Sequence, residues 1–163
     1  MKIVDSEIVE TSDFRVLIYP SSRPFTTKES KMIAEELYEF LAGWQAHGKP
    51  LSASFKIEKN QFIIIAIDEE KEMASGCSID ALGVFLKDLD QKYSFGLFDR
   101  MKACYLEDGK VITTSLKDFR EGVKSGSIKD TVEVFDFSKS TYVSFLSDFL
   151  LPLKRSWAAI YLS

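Results

Sequence analysis

Cys77 lies in a run of small residues, Ala74-Ser75-Gly76-Cys77-Ser78-Ile79-Asp80, which brings a thiol and two hydroxyls to the start of an apolar-periodic segment. Helix N-termini favour anions, and a cysteine placed there can have its pKa lowered, the change that activates a thiol nucleophile. Such a nucleophile needs a base, and the chain holds a single histidine, His47. With Cys77 as nucleophile, His47 as base and the backbone amides after Gly76 as an oxyanion site, the chain would be a small thiol-dependent enzyme. The same residues also have a purely structural reading. Ser75 or Ser78 caps a helix, Gly76 makes the turn and Cys77 packs as a small apolar group. His47, in Trp44-Gln45-Ala46-His47-Gly48, falls at the expected C-terminal end of a helix, where the dipole favours a protonated imidazole.

Leu97-Phe98-Asp99-Arg100 puts an acid and a base side by side just before a strand, so their side chains are expected on opposite faces. Arg100 can fork a carboxylate or phosphate, or pair with a neighbouring Asp. The apolar run ending in Asp68-Glu69 imitates the strand that delivers an acid to magnesium in ATPases. Phosphate cradling also needs GxxxxGK[ST], and the only Gly-Lys pairs are Gly48-Lys49-Pro50 and Gly109-Lys110-Val111. A working ATPase is therefore not expected. Cys77 and Cys104 are the only cysteines and form no CxxC, so a structural zinc site cannot be closed within one chain, and neither metal nor cofactor is expected.

These residues need elements to hold them. Phe14-Arg15-Val16-Leu17-Ile18-Tyr19 reads as a strand stopped by Pro20, after a loose arm or short edge strand over residues 1–13. Thr26-Thr27-Lys28-Glu29 forms a capping box, and Ile33, Leu37, Phe40, Leu41 and Trp44 make one apolar helical stripe. Residues 51–57 alternate as a half-buried strand. Residues 62–67 are apolar without a break, as in a strand covered on both faces. Ile79, Leu82, Phe85, Leu86, Leu89 and Tyr93 predict a second helix. Residues 100–114 read as a hairpin closed at Asp108-Gly109, and Ser115 caps a short helix ending near Gly126. Residues 132–137 read as a strand and residues 142–150 as a last helix stopped by Pro152, with residues 157–162 as a closing strand. The order β-α-β-β-α-β predicts one α+β domain over residues 1–163. Its core is a split βαβ, ferredoxin-like unit, carrying additional C-terminal strands and two helices.

The 163 residues carry 21 Lys and Arg against 25 Asp and Glu, a net charge of −4, with 45% hydrophobic residues. That composition is globular, and a pI near 5.1 makes nucleic acid an unexpected partner. The acids of the first seven residues stand where a secretory signal needs an apolar stretch. No run approaches the roughly 20 apolar residues of a membrane span, so a cytoplasmic setting is expected.

Trp44-x-Ala46-His47-Gly48, Ala53-Ser54-Phe55, Asp68-Glu69, residues 74–80 and Leu97-Phe98-Asp99-Arg100, taken in that order, resemble a family of short bacterial proteins commonly labelled "ABC transporter ATPase". The resemblance runs from about Phe14 to Trp157 and implies membership and a bacterial cytoplasmic setting, but no reaction. The expectation is a binding, regulatory or interaction domain in which Trp44, Ser75, Gly76, Ser78, Asp80, Asp99 and Arg100 shape a pocket. Its partner would be a protein or small molecule, and the chain itself a homodimer. The thiol-dependent enzyme is the alternative.

Overall fold

A computed structural model describes residues 13–162, and the arm expected over residues 1–13 lies almost wholly outside them. The chain builds β1 (Arg15–Pro20), α1 (Thr27–Ala42), a two-residue hairpin of β2 (Gln45–Ala46) and β3 (Lys49–Pro50), then β4 (Ala53–Glu58), β5 (Phe62–Ile67) and α2 (Gly76–Tyr93). There follow β6 (Lys102–Glu107), β7 (Lys110–Ser115), α3 (Leu116–Ser125), β8 (Glu133–Phe135), α4 (Tyr142–Asp148) and β9 (Leu150–Pro152). Two 3-10 turns, Leu153–Arg155 and Trp157–Leu162, end the described chain.

β5 organises the core, because every one of its residues is buried. Strand side chains alternate between faces. Ile63, Ile65 and Ile67 pack with α1 and α2 on one side, while Phe62 and Ile64 pack with Cys104, Phe135 and Phe149 on the other. β5 lies in the middle of an antiparallel sheet of order β1-β5-β4. A second antiparallel sheet, β7-β6-β8-β9, covers its other face. The outward face of that second sheet, Ala103, Tyr105 and Val134, buries Phe119 and Val123 of α3 together with Leu153 and Ala158. The result is four layers: helices, sheet, sheet, helix with 3-10 turns.

The α+β reading holds, and the order β1-β5-β4 is that of the first three strands of a split βαβ unit. In a ferredoxin-like sheet the strand after the second helix returns beside the first, whereas here β6 pairs with β7 and β8. Part of the free edge of β1 is taken instead by the segment before α4: Val16 N–H donates to Ser140 O (2.8 Å) and Tyr142 N–H to Phe14 O (2.8 Å).

Three local expectations change. The helix carrying the Trp44 stripe stops at Ala42, with Gly43 as its C-cap. His47 (φ 52°) and Gly48 (φ 77°) are the two central residues of the β2–β3 hairpin, and positive φ at both is the type I′ pattern. His47 is therefore an exposed hairpin tip rather than a helix end, and the dipole argument for it lapses. Residues 157–162 coil instead of extending, because Ala158 and Tyr161, three apart, both join the α3 cluster.

Candidate functional site

The start of α2 is tightly built. Ser75 Oγ accepts from Ser78 N–H (3.1 Å) and Ser78 Oγ accepts from Ser75 N–H (2.8 Å), a reciprocal capping box. Trp44, buried to 4% exposure, donates its indole N–H to Ser78 O at 2.8 Å and so ties the end of α1 to the first turn of α2. Of the residues expected to bind, Trp44, Ser75, Gly76 and Ser78 are thus brought together. Trp44 and Ser78 are buried, and their polar atoms are spent on holding the turn. Cys77 is exposed on that first turn. Among the described residues no hydrogen bond joins it to His47, which sits on the neighbouring hairpin.

Asp68 and Glu69 also serve this loop. Asp68 accepts from Glu70 N–H (3.2 Å), while Glu69 accepts from Ala74 N–H (3.0 Å) and pairs with Arg15 at 3.6 Å. Both carboxylates shape the passage from β5 into α2. Among the described residues no group of three or more metal-ligating side chains gathers.

A polar cleft lies one turn further along α2. It holds about 790 Å³ between α2 (Ile79, Asp80, Gly83, Val84, Lys87), the end of β1, the 97–102 segment and Phe137-Ser138. Asp80, Asp99 and Arg100 line it, as three of the expected site residues; residues 75–78 do not. Asp80, Gly83, Val84 and Lys87 fall at i, i+3, i+4 and i+7, one stripe of α2. Tyr19, Phe98 and Phe137 supply aromatic wall. Tyr19 stacks edge-on with Phe98 at 5.9 Å, and burial raises its phenol pKa, against a smaller opposing effect of Arg15. The Lys87 ammonium stands 5.5 Å from the Phe98 ring centre. Asp99 accepts from Met101 N–H (2.9 Å), which fixes the turn that carries Arg100. Among the described residues neither Arg100 nor Lys87 has an ion-pair partner.

Lys102 also lines the cleft, and the sequence reading missed it. Its Nζ donates to Pro20 O (2.5 Å), Gly96 O (2.5 Å) and Ser22 Oγ (3.0 Å). The three protons of an ammonium meet three acceptors. Burial lowers its pKa below the ordinary lysine value, while Cys104, Asp99 and Asp90 act the other way. The signal was available, since Lys102 stands two before Cys104 and so on the inward face of β6. Gly96 (φ 72°) completes the joint, because a Cβ there would lie 2.5 Å from Ser22 Oγ. Around it, Ser22 N–H donates to Phe95 O (2.7 Å), and Arg23 donates to Tyr93 O (2.7 Å) while forking Glu29 at 2.9 and 2.8 Å. The loops after β1 and after α2 are zipped together, and the cleft is built on that seam.

No helix among the described residues is long and apolar enough to cross a membrane. Comparisons with protein-family models, with curated proteins and with solved structures found no match.

Proposed function

We propose that the chain is a binding domain without catalytic chemistry of its own, and that the α2 cleft takes a small organic anion with an apolar or aromatic body. One observation carries this. Lys87, Arg100 and Lys102 line a single cleft whose remaining walls include Tyr19, Phe98 and Phe137. Arg100 supplies the planar fork suited to a carboxylate or phosphate. Lys102, held by two backbone carbonyls and the Ser22 hydroxyl, contributes fixed positive charge, and Lys87 contributes a second one from an exposed position. The carboxylates set against them are Asp99, engaged with Met101 N–H, and Asp80 at an exposed position. A concave site with a few polar groups on an apolar wall is the usual form of a small-molecule site.

Two of the sequence words that resemble the short bacterial family, residues 74–80 and 97–100, meet this cleft at Ile79, Asp80 and Leu97 to Arg100. Membership of that family would thus be written partly in cleft residues. The thiol-dependent alternative draws on Cys77 and His47, which lie outside the cleft lining and share no hydrogen bond. Titration of 15N-labelled protein with phenyl phosphate tests the reading. Amide shifts confined to residues 79–87 and 97–102 support it, and shifts scattered over the surface or centred on Cys77 reject it.

A further inference from the structure

β1 gives one edge to β5, and its other edge is only partly used. Ser21 N–H donates to Gln61 O (2.8 Å), and 21↔61 continues the β1–β5 register. In an antiparallel ladder hydrogen-bonded and non-bonded pairs alternate. The odd-numbered residues of β1 therefore turn their backbone groups toward β5, and Val16, Ile18 and Pro20 turn theirs away. Val16 N–H is met there by Ser140 O at 2.8 Å. The antiparallel bridge between Arg15 and Thr141, carried three residues on, would set Ser138 opposite Ile18. Ser138 N–H donates instead to Asp136 Oδ1 (2.9 Å), and the chain turns off. Ile18 and Ser138 become lining residues of the α2 cleft, which opens where the ladder splits. Neither the N–H nor the C=O of Ile18 has a partner among the described residues. Two positions on, Pro20 has no N–H, and its carbonyl is taken by Lys102.

Charge is graded along this edge. α2 runs beside β1 in the same direction, because Arg15 reaches Glu69 on the loop into α2 (3.6 Å) and Ser22 N–H meets Phe95 O on the loop leaving it (2.7 Å). Asp80 therefore stands toward the start of β1, and Lys87, about 10 Å of helix rise further on, toward its end. There the Lys87 ammonium lies 5.5 Å from the Phe98 ring centre, Phe98 packs on Tyr19, and Lys102 holds Pro20 O. Asp99 is also at this end, with its carboxylate engaged by Met101 N–H.

We propose, on the footing of the anion reading of this cleft, that its ligand is the C-terminal end of a peptide laid parallel to β1. Ile18 N–H donates to the carbonyl that precedes the penultimate residue, and Ile18 C=O accepts the N–H of the last residue, as in a parallel strand added to a sheet edge. A longer strand would next need a backbone donor that Pro20 lacks. A terminal carboxylate needs none, since Arg100 and Lys87 receive it. The pleat sorts the side chains. The last one falls on the face of Tyr19 and Phe98, and the one before it on the face of Ile18 and Phe137. The peptide runs back toward Asp80, which keeps that acid away from the carboxylate.

Titration of the full 15N-labelled chain with N-acetyl-Ala-Phe reads the result, since that probe carries both pairing groups and the carboxylate. Its carboxamide and its form methylated at the Phe nitrogen run beside it, and phenyl phosphate measures the anion reading by itself. The acid binds and moves the Ile18 amide proton downfield. The carboxamide, which lacks the charge, and the N-methyl form, which lacks the donor for Ile18 C=O, each bind about tenfold or more weakly. Arg100→Ala brings the acid down to its carboxamide and leaves the carboxamide unchanged. Equal binding by the acid and either modified form, or binding that leaves the Ile18 amide in place, overturns the proposal. Phenyl phosphate binding without N-acetyl-Ala-Phe binding overturns it and leaves the anion reading standing, whereas no binding by either overturns both.

Discussion

The Lys102 ammonium donates to the Gly96 carbonyl at 2.5 Å, and that bond fastens the start of β6 to the loop leaving α2. Pro20 O and Ser22 Oγ complete its shell, so one buried lysine joins three chain segments around the floor of the cleft. Lys102→Met would leave the Pro20 carbonyl without its donor, while the Gly96 carbonyl keeps the Asp99 N–H at 3.2 Å. A cost of about 2–3 kcal/mol is expected, read from urea unfolding. The pH dependence has a defined sign. The folded pKa lies below the ordinary lysine value of 10.5, so in the window beneath 10.5 the unfolded chain binds more protons and stability rises with pH. The difference between wild type and Lys102→Met should therefore shift in favour of the wild type as pH rises through that window. A constant difference would mean that Lys102 is not held as a buried cation.

Glu29 shows the opposite linkage. The Arg23 fork, then the Thr26 backbone N–H, lower its pKa from 4.5 to about 2. Its contribution is present above 4.5 and is lost as pH falls from there toward 2. Acid unfolding of Glu29→Gln should converge on that of the wild type across this interval and differ from it by a constant amount at neutral pH. Parallel profiles down to pH 2 would show that the fork does not persist in solution.

The two thiols should separate by access. Cys77 is exposed, whereas Cys104 is buried, its pKa raised by that burial, with Thr113 Oγ1 3.4 Å from its sulfur. Iodoacetamide on native protein should modify one thiol, at Cys77, and a second only after unfolding in urea. Rapid native modification of Cys104 would contradict the packing between the two sheets.

Much of this was legible in the residues. The Thr26–Glu29 capping box, the Asp108-Gly109 turn and the unbroken apolar β5 each follow from a local rule, and each stands as read. The departures come from partners remote in sequence. Trp44 leaves the α1 stripe because its indole finds Ser78 O thirty-four residues on, and His47 goes with it to a hairpin tip. β6 joins a second sheet because both its edges are taken by β7 and β8, and no periodicity announces that choice. Within the site, Asp80, Asp99 and Arg100 were singled out. Lys87 was legible as the next turn of the Asp80 stripe, and Tyr19 and Phe137 enter only through tertiary folding.

Calorimetric titration with phenyl phosphate, run on wild type, Arg100→Ala and Lys87→Ala beside inorganic phosphate as a second probe, bears most directly on the anion cleft. Phenyl phosphate should bind the wild type more tightly than inorganic phosphate does, because the aromatic wall adds apolar contact. Arg100→Ala should weaken it by about tenfold or more, with Lys87→Ala weakening it less. No measurable heat with the wild type, or equal affinity in wild type and Arg100→Ala, would contradict the assignment.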